Sequence, residues 1–413
     1  MIFRLRTRQR FYLITAAILG LLSLALLYRF SYWIGGLGLL VTAAVYCCSY
    51  LECIIFDGNA LTRTGPITWV LAQLSNQNWY LPIGEIEMIA TESTRLRFPP
   101  DRIRYRYRTL VLGSHAEFVL NSSEPGYPQL AKALFCSVGE DKLDPRSSEL
   151  LYYFDTVEGY ESFDFPQDHL SKLPTQLLRS IANGLRLSGQ MRQALNCFMV
   201  AYQREPNNPH LLYEMARFLR SLAALDGPRL LTRSSACLRL AARISQNEPR
   251  LLERIGETYF ERLEYDRASR CFARALELDP NLFRAHVGMA EIALRSGKLA
   301  HVAHFYGTAA HSTLDAAQAR LANREASYYG RLCSDEDYLE AEINRITMLR
   351  HLRWIRTAAA TVFFIALTAA CLVSAFYAPL ETLSWSFVIS SSFLWAVATL
   401  GLQWYNKRLD ATV

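Results

Sequence analysis

Two pairs of long, uncharged apolar runs bracket this 413-residue chain and limit what it can become. Phe11 to Tyr28 and Tyr32 to Tyr50 lie near the N-terminus, and Thr357 to Ala378 and Leu383 to Leu402 near the C-terminus. A helix crosses the hydrocarbon core with roughly 20 apolar residues, and about 17 suffice in thin cases. The runs therefore predict four transmembrane helices in two hairpins. The basic "RLRTRQR" before the first run would suit a signal peptide. No small-residue cleavage site precedes the second run, however, so an anchor is the better reading.

Basic residues beside the spans set the expected orientation. Arg4, Arg6, Arg8 and Arg10 precede the first run, Arg345, Arg350, Arg353 and Arg356 the third, and Lys407 and Arg408 follow the fourth. The short hairpin loops hold only Arg29 and Glu381. Both termini and the whole middle are thus expected in the cytoplasm, with the chain integral to the inner (cytoplasmic) membrane. The net charge of +6 owes much to these flanks and gives no argument for nucleic acid. Nine scattered cysteines form no C-x-x-C pair, which suits buried thiols in a reducing compartment and suggests no redox or zinc framework.

Residues 249 to 316 repeat at an offset of 34: Gly256 falls on Ala290, Tyr259 on Ala293, Phe272 on Tyr306 and Ala275 on Ala309. "IANGLRLSGQMRQALNCFMVAYQREPN" matches at an offset of 74, with Ala194 on Ala268, Phe198 on Phe272, Ala201 on Ala275 and Pro206 on Pro280. That offset is two periods plus six residues, so one repeat carries an insertion, best placed at "LDGPR", Leu225 to Arg229. A fifth, degraded helix pair runs from Ala316 to Arg350, and its last helix continues into the third apolar run.

A period of 34, with small residues where paired helices cross, aromatics beside them and a proline after the second helix, resembles the tetratricopeptide repeat. The resemblance covers roughly 175 residues, strongest in Arg250 to Asn281. It implies an α-solenoid whose first helices line a concave face that binds a peptide or partner protein. The lining positions would include Asn183, Arg186, Tyr213, Arg217, Arg220, Glu253, Glu257, Glu291 and Arg295. The alternative is that they form only a solvated face. The family's carboxylate-clamp pattern is absent as a set, so capture of a free peptide C-terminus is not implied.

Between the second run and the repeats the pattern shifts to period two. "LECIIFDGNALTR" reads as strand, turn and strand, "WYLPIGEIEMIA" as two short strands turning at Gly84, and "RIRYRYRTLVLGSHAEFVL" as a hairpin turning near Gly113. "GYPQLAKALFCSV" reads as a closing helix. Short strands ending in one helix directly after a membrane hairpin resemble the bacterial pleckstrin-homology-like domains over about 90 residues, with "NWYLPIGEIEMI" and "AEFVLNSSEPGYPQLAKAL" the clearest echoes. Within it, Arg102, Arg104, Arg106 and Arg108 recur at every second position, so a strand puts them on one face and Ile103, Tyr105 and Tyr107 on the other. The row would suit anionic headgroups, the acidic residues of a partner, or local pairing to Glu85, Glu87 and Glu117.

No glycine-rich phosphate loop with its lysine, no G-x-S-x-G and no H-E-x-x-H occurs. The glycine-rich "GGLGLL" at Gly35 to Leu40 sits in an apolar run, where it suits close helix packing. His301, His304 and His311 lack a carboxylate or cysteine at ligand spacing, so no metal and no cofactor is expected. The spans carry no ionisable residue at mid-depth, which argues against an ion pathway.

The sequence thus describes a multidomain membrane protein, mainly α. Residues 1–50 form an N-terminal transmembrane hairpin, 51–146 a small β-rich domain, 147–174 a linker, 175–350 the helical repeats and 351–406 a C-terminal hairpin. The expected role is a non-catalytic scaffold or adaptor that recruits partner proteins through the solenoid groove and the transmembrane helices, with the β-domain held at the lipid surface. A lipid-sensing or lipid-handling protein and an accessory subunit of a membrane enzyme or secretion complex are the alternatives.

Overall fold

The computed structural model describes residues 2–6, 16–17, 19–21, 23–24, 27, 32–66, 79–98, 102–124, 126–160, 170–372 and 378–405. It is mainly helical, with two small antiparallel sheets, and it divides into two compact units. The first comprises residues 1–19 and 40–323, and the second residues 20–39 and 324–413.

The β-domain starts earlier than its sequence suggests. Strand β1 (Phe3–Arg6) pairs antiparallel with β2 (Cys53–Phe56), Leu5 opposite Ile54. Arg4 and Arg6 are therefore strand residues as well as charges flanking an apolar run. The chain between these strands leaves and returns to one sheet edge, so both its ends lie together. This pairing joins residues some 50 positions apart, and nothing in a local pattern reports it.

β3 (Ala60–Thr64) and β4 (Tyr80–Pro82) complete the first sheet. Asp57 makes the turn between β2 and β3 by accepting hydrogen bonds from the amides of Asn59 and Ala60, at 2.8 and 2.7 Å. Gly58 between them has φ of 96°, a left-handed conformation that glycine adopts without strain. The second sheet holds β5 (Ile86–Phe98), β6 (Arg102–Gly113) and β7 (Glu117–Asn121). The turns at residues 57–59, 83–85 and 113–116 fall where the sequence places them.

Alternate residues of both sheets enter one core: Leu5, Ile54, Phe56, Leu61, Leu81, Ile89, Val111, Phe118 and Leu120. Two helices close it. In α2 (Tyr127–Ser137), Tyr127, Leu130, Leu134 and Phe135 are buried. In α3 (Pro145–Tyr160), Leu150 and Phe154, four apart on one face, are buried too. The apolar helix near the N-terminus is α1 (Tyr32–Leu51).

α3 begins the stretch read from sequence as a linker, residues 147–174. It is a helix because its start is well made. Asp144 stands before Pro145 at the first helical position and accepts the Ser147 amide at 2.8 Å, a side-chain cap. The same carboxylate accepts the Thr91 amide at 3.1 Å. Buried hydroxyls extend the connection: Thr91 lies 2.7 Å from Ser147 and 3.0 Å from Thr109, which lies 2.8 Å from Tyr127. The first turn of α3 is thereby fixed to β5, β6 and α2. Residues 161–169 of the expected linker lie outside the described residues.

The repeats form helix pairs: α4 (Thr175–Ser188) with α5 (Met191–Arg204), α6 (Pro209–Asp226) with α7 (Pro228–Ile244), α8 (Pro249–Glu261) with α9 (Tyr265–Leu278), and α10 (Phe283–Arg295) with α11 (Leu299–Ser312). Their crossings follow the sequence pattern. Ala194, Ala201, Ala268, Ala275 and Ala309 are fully buried. The Phe272 ring lies against two glycines; a Cβ on Gly256 or Gly288 would stand 2.7 or 2.6 Å from it. The extra residues of the second pair do not form a loop. They lengthen α6 to 18 residues and α7 to 17, and Gly227 alone, with φ of 96°, joins them.

The second unit is described by itself. α12 (Ala316–Ser334) leads into it, and α13 (Glu336–Leu372) runs unbroken through the expected end of the repeats into the third apolar run. α14 (Ala378–Tyr405) packs beside α13. Their facing side chains are small: Ala359, Ala366 and Ala370 on one helix and Ser384, Val388, Ser391 and Ala398 on the other are buried. Spacings of three, four and seven residues make a continuous seam, the close packing by which apolar helices associate. At one end Arg345 holds the buried Glu342 at 2.6 Å, Tyr328 donates to the same carboxylate at 2.7 Å, and Arg345 also reaches the Tyr405 carbonyl.

Among the described residues two helices are long and apolar enough to cross a membrane, Glu336–Ala370 and Thr382–Leu402. Four were expected. The second expected span is helical, but its apolar stretch, Gly35–Cys48, is shorter than the roughly 20 residues a crossing needs. The first, Phe11 to Tyr28, falls largely outside the described residues. Added Cβ atoms on Gly35 and Gly38 would collide with Leu27 and Ser23, the close approach expected of "GGLGLL".

Candidate functional site

The predicted groove residues lie on the first helix of each pair: Asn183 and Arg186 on α4, Tyr213, Arg217 and Arg220 on α6, Glu253 and Glu257 on α8, Glu291 and Arg295 on α10. They do not form an open surface. Asn183, Arg186, Tyr213 and Arg217 are buried, Arg220, Glu253, Glu257 and Glu291 half-buried, and Arg295 alone of the set is exposed. Four of the nine are thus withdrawn from solvent. Arg186 and Arg217 are met by the protein's own chain, residues 140–149, the approach to α3 and its first turn, which also reaches other residues of the same helices.

The contacts alternate in sign along this segment. Glu140 pairs with Arg254 of α8. Lys142 meets Asp315, ahead of α12, at 2.6 Å, and the Asp141 carbonyl accepts from Gln318 at 3.2 Å. The Leu143 carbonyl accepts from Arg284 of α10, which also reaches Glu257 at 2.7 Å. Arg146 meets Glu261 of α8 at 3.3 Å. Glu149 completes the series with two arginines, Arg186 at 2.7 Å and Arg217. We call this segment the clasp.

Glu149 is its most consequential group. Burial alone would push its carboxyl up, but the charges of Arg186 and Arg217 outweigh burial and hold it below the ordinary carboxylate range. Arg217 is fixed from the other side, donating to Tyr213 Oη at 3.2 Å and Thr258 Oγ1 at 3.3 Å. Each ion of the triad is thus both charge-paired and hydrogen-bonded, the condition under which buried ions persist.

The α8–α10 end behaves oppositely. Burial pushes Glu253 up to about 8, helped by the charge of Glu257. Glu257 is raised by burial too, against the pull of Arg284, and burial raises Glu291. Glu253 thus holds near neutrality a proton that an isolated glutamate would release. A second bond joins the β-domain to the solenoid: Tyr107 donates from its hydroxyl to the Leu187 carbonyl at 2.9 Å.

The arginine row follows the predicted alternation where it is described. Arg106 and Arg108 are exposed, Tyr105 half-buried and Tyr107 buried. The side chains of Arg102 and Arg104 lie outside the described residues. Arg108 stands 3.5 Å from Glu92, its cross-strand neighbour, rather than from Glu85, Glu87 or Glu117. An exposed pair of this kind is worth little, about 0–1 kcal/mol. No group of His, Cys, Asp and Glu able to hold a metal occurs among the described residues.

Glu140, Lys142, Glu149, Arg254 and Arg284 escaped the sequence reading. Their signal was present as charge complementarity between "GEDKLDPRSSEL" and the first helices of the pairs, but it becomes legible only once the two are superposed in space.

The tetratricopeptide repeat family matches residues 249–282, which are α8, α9 and the turn that follows. No curated protein matches the chain.

Proposed function

We propose that this chain is a non-catalytic, membrane-anchored adaptor whose repeat solenoid engages proteins and whose groove is held shut by its own clasp. One observation carries the reading: the groove already does what a solenoid of this family does, seating a helical segment of complementary charge, and here that segment belongs to the same chain. A partner either displaces the clasp or uses the surfaces left outside it. The repeat at residues 249–282 supports a protein-interaction or scaffold role.

Membrane anchoring draws support from the second unit. Its paired helices leave large apolar side chains outward, among them Ile365, Phe393 and Leu400. Trp354 and Trp404 stand at 70 % and 82 % exposure close to Arg350, Arg353 and Arg356, the arrangement of an aromatic belt beside a basic flank. The N-terminal segment draws support from β1 and β2, since their pairing requires both ends of the intervening stretch on one side. The strands described, with α2 against them, support the pleckstrin-homology-like resemblance, and exposed Arg106 and Arg108 suit a domain held against anionic lipid.

In intact cells an impermeant thiol reagent should leave the exposed Cys136 and Cys333 unlabelled until lysis. Labelling before lysis would reverse the topology. The buried Cys271 is no reporter in either arrangement. The adaptor role is tested by co-purification in detergent with mass spectrometry. A protein partner should be recovered stoichiometrically, and in greater yield from a Glu149→Gln chain, whose clasp is loosened. Recovery of lipid alone from both chains would favour the lipid-handling alternative.

A further inference from the structure

A cleft of about 250 Å³ opens beside the Glu149 triad, between β6, α3 and helices α4, α6 and α8. Four guanidinium groups line it, Arg146, Arg186, Arg217 and Arg220, against two carboxylates, Glu149 and Glu261. The lining therefore carries a net positive charge. We propose that the cleft binds a small dianion of the phosphate class, a phosphomonoester or phosphate itself.

Two of the arginines hold capacity that nothing uses. Arg186 is 6 % exposed, and its Nε is buried without a hydrogen-bond partner, although its outer nitrogen holds Glu149 at 2.7 Å. Arg220 forms no ion pair among the described residues; burial disfavours its charge most, the charge of Glu261 favours it, and Arg217 and Arg146 repel it. Left empty, such a cluster costs stability, because buried like charges oppose one another. A dianion with several acceptor oxygens resolves both features at once, since guanidinium forks bond phosphate oxygens in pairs. Ser93, Ser221 and the Tyr105 ring complete a polar wall. The size fits the class, because pockets for drug-sized ligands run to roughly 300–1,000 Å³ and this cleft is smaller. The outer-face cleft lined by Arg239, Arg243, Arg267 and Arg270 is a weaker candidate: Arg267 already pairs with Glu264 and Arg270 bonds the Asp266 carbonyl.

The probe is inorganic phosphate, titrated into the full chain in detergent at constant ionic strength, with chloride as reference and sulfate as comparison. Phosphate should raise the melting temperature above chloride, in proportion to the logarithm of its concentration once that exceeds the dissociation constant, as any ligand of the native state does. The apparent affinity should increase from pH 6 to pH 8 as the dianion forms, while the sulfate response stays flat. Arg220→Gln should weaken phosphate binding at least tenfold without lowering the melting temperature in chloride. Arg270→Gln on the outer face should leave binding unchanged. If Arg220→Gln does not fold, Arg220→Lys keeps the charge, loses the fork and should still bind several-fold more weakly. Phosphate acting no differently from chloride, or wild type and the Arg220 variants responding alike, would overturn the assignment.

Discussion

Glu149→Ala should destabilise the first unit by about 3–5 kcal/mol, because it leaves Arg186 and Arg217 buried without their counter-charge. Thermal or denaturant unfolding of the full chain in detergent measures it. Truncating one ion of a buried set costs more than the set contributes, since the remaining charges stay desolvated. The double variant with Arg217→Met should therefore recover part of the loss. The pH dependence has a definite sign. Glu149 is held below its ordinary value, so its contribution is complete above the unfolded glutamate range, near 4.5, and is lost as pH falls through the lower folded value. Acid should thus open the clasp in the wild type, and the Glu149→Ala chain should lack this transition.

Ala275→Arg should cost several kcal/mol and melt the repeats, while Arg295→Ala should change stability by no more than about 0.5 kcal/mol. Ala275 is completely buried among Phe272, Ala268 and Ala285, where an arginine has neither room nor partner. Arg295 is exposed at the end of α10. The contrast tests the repeat register, because a shift of one position would exchange buried and exposed sites. Circular dichroism melts of the three chains suffice, and equal losses for both substitutions would invalidate the register.

These two sites mark where sequence stops being legible. Ala275 was readable because helix crossings recur every 34 residues, and each copy repeats the same steric demand. The strand turns were readable because Asp57, Gly58 and Gly113 impose local geometry. The continuity of α13 was readable because no glycine or proline interrupts residues 336–372. Glu149 was not readable as a site, although the helix that carries it has a legible start in Asp144-Pro145. Its role depends on two arginines 37 and 68 positions away, on different repeats. β1 was hidden for the same reason: four residues acquire a partner only across an apolar insert. The predicted groove positions lie on the first helix of each pair, but the charged segment that meets two of them was not in the reading. Periodicity reports what packs within a repeat and is silent about what lies across it.

The central claim, that the clasp fills the groove, is most directly tested by hydrogen exchange across residues 140–154 of the full chain in detergent. These amides should be protected to an extent comparable with α4, and Glu149→Ala should release them while the α9 amides stay protected. Exchange of residues 140–154 at the rate of an open tether in the wild type would contradict it.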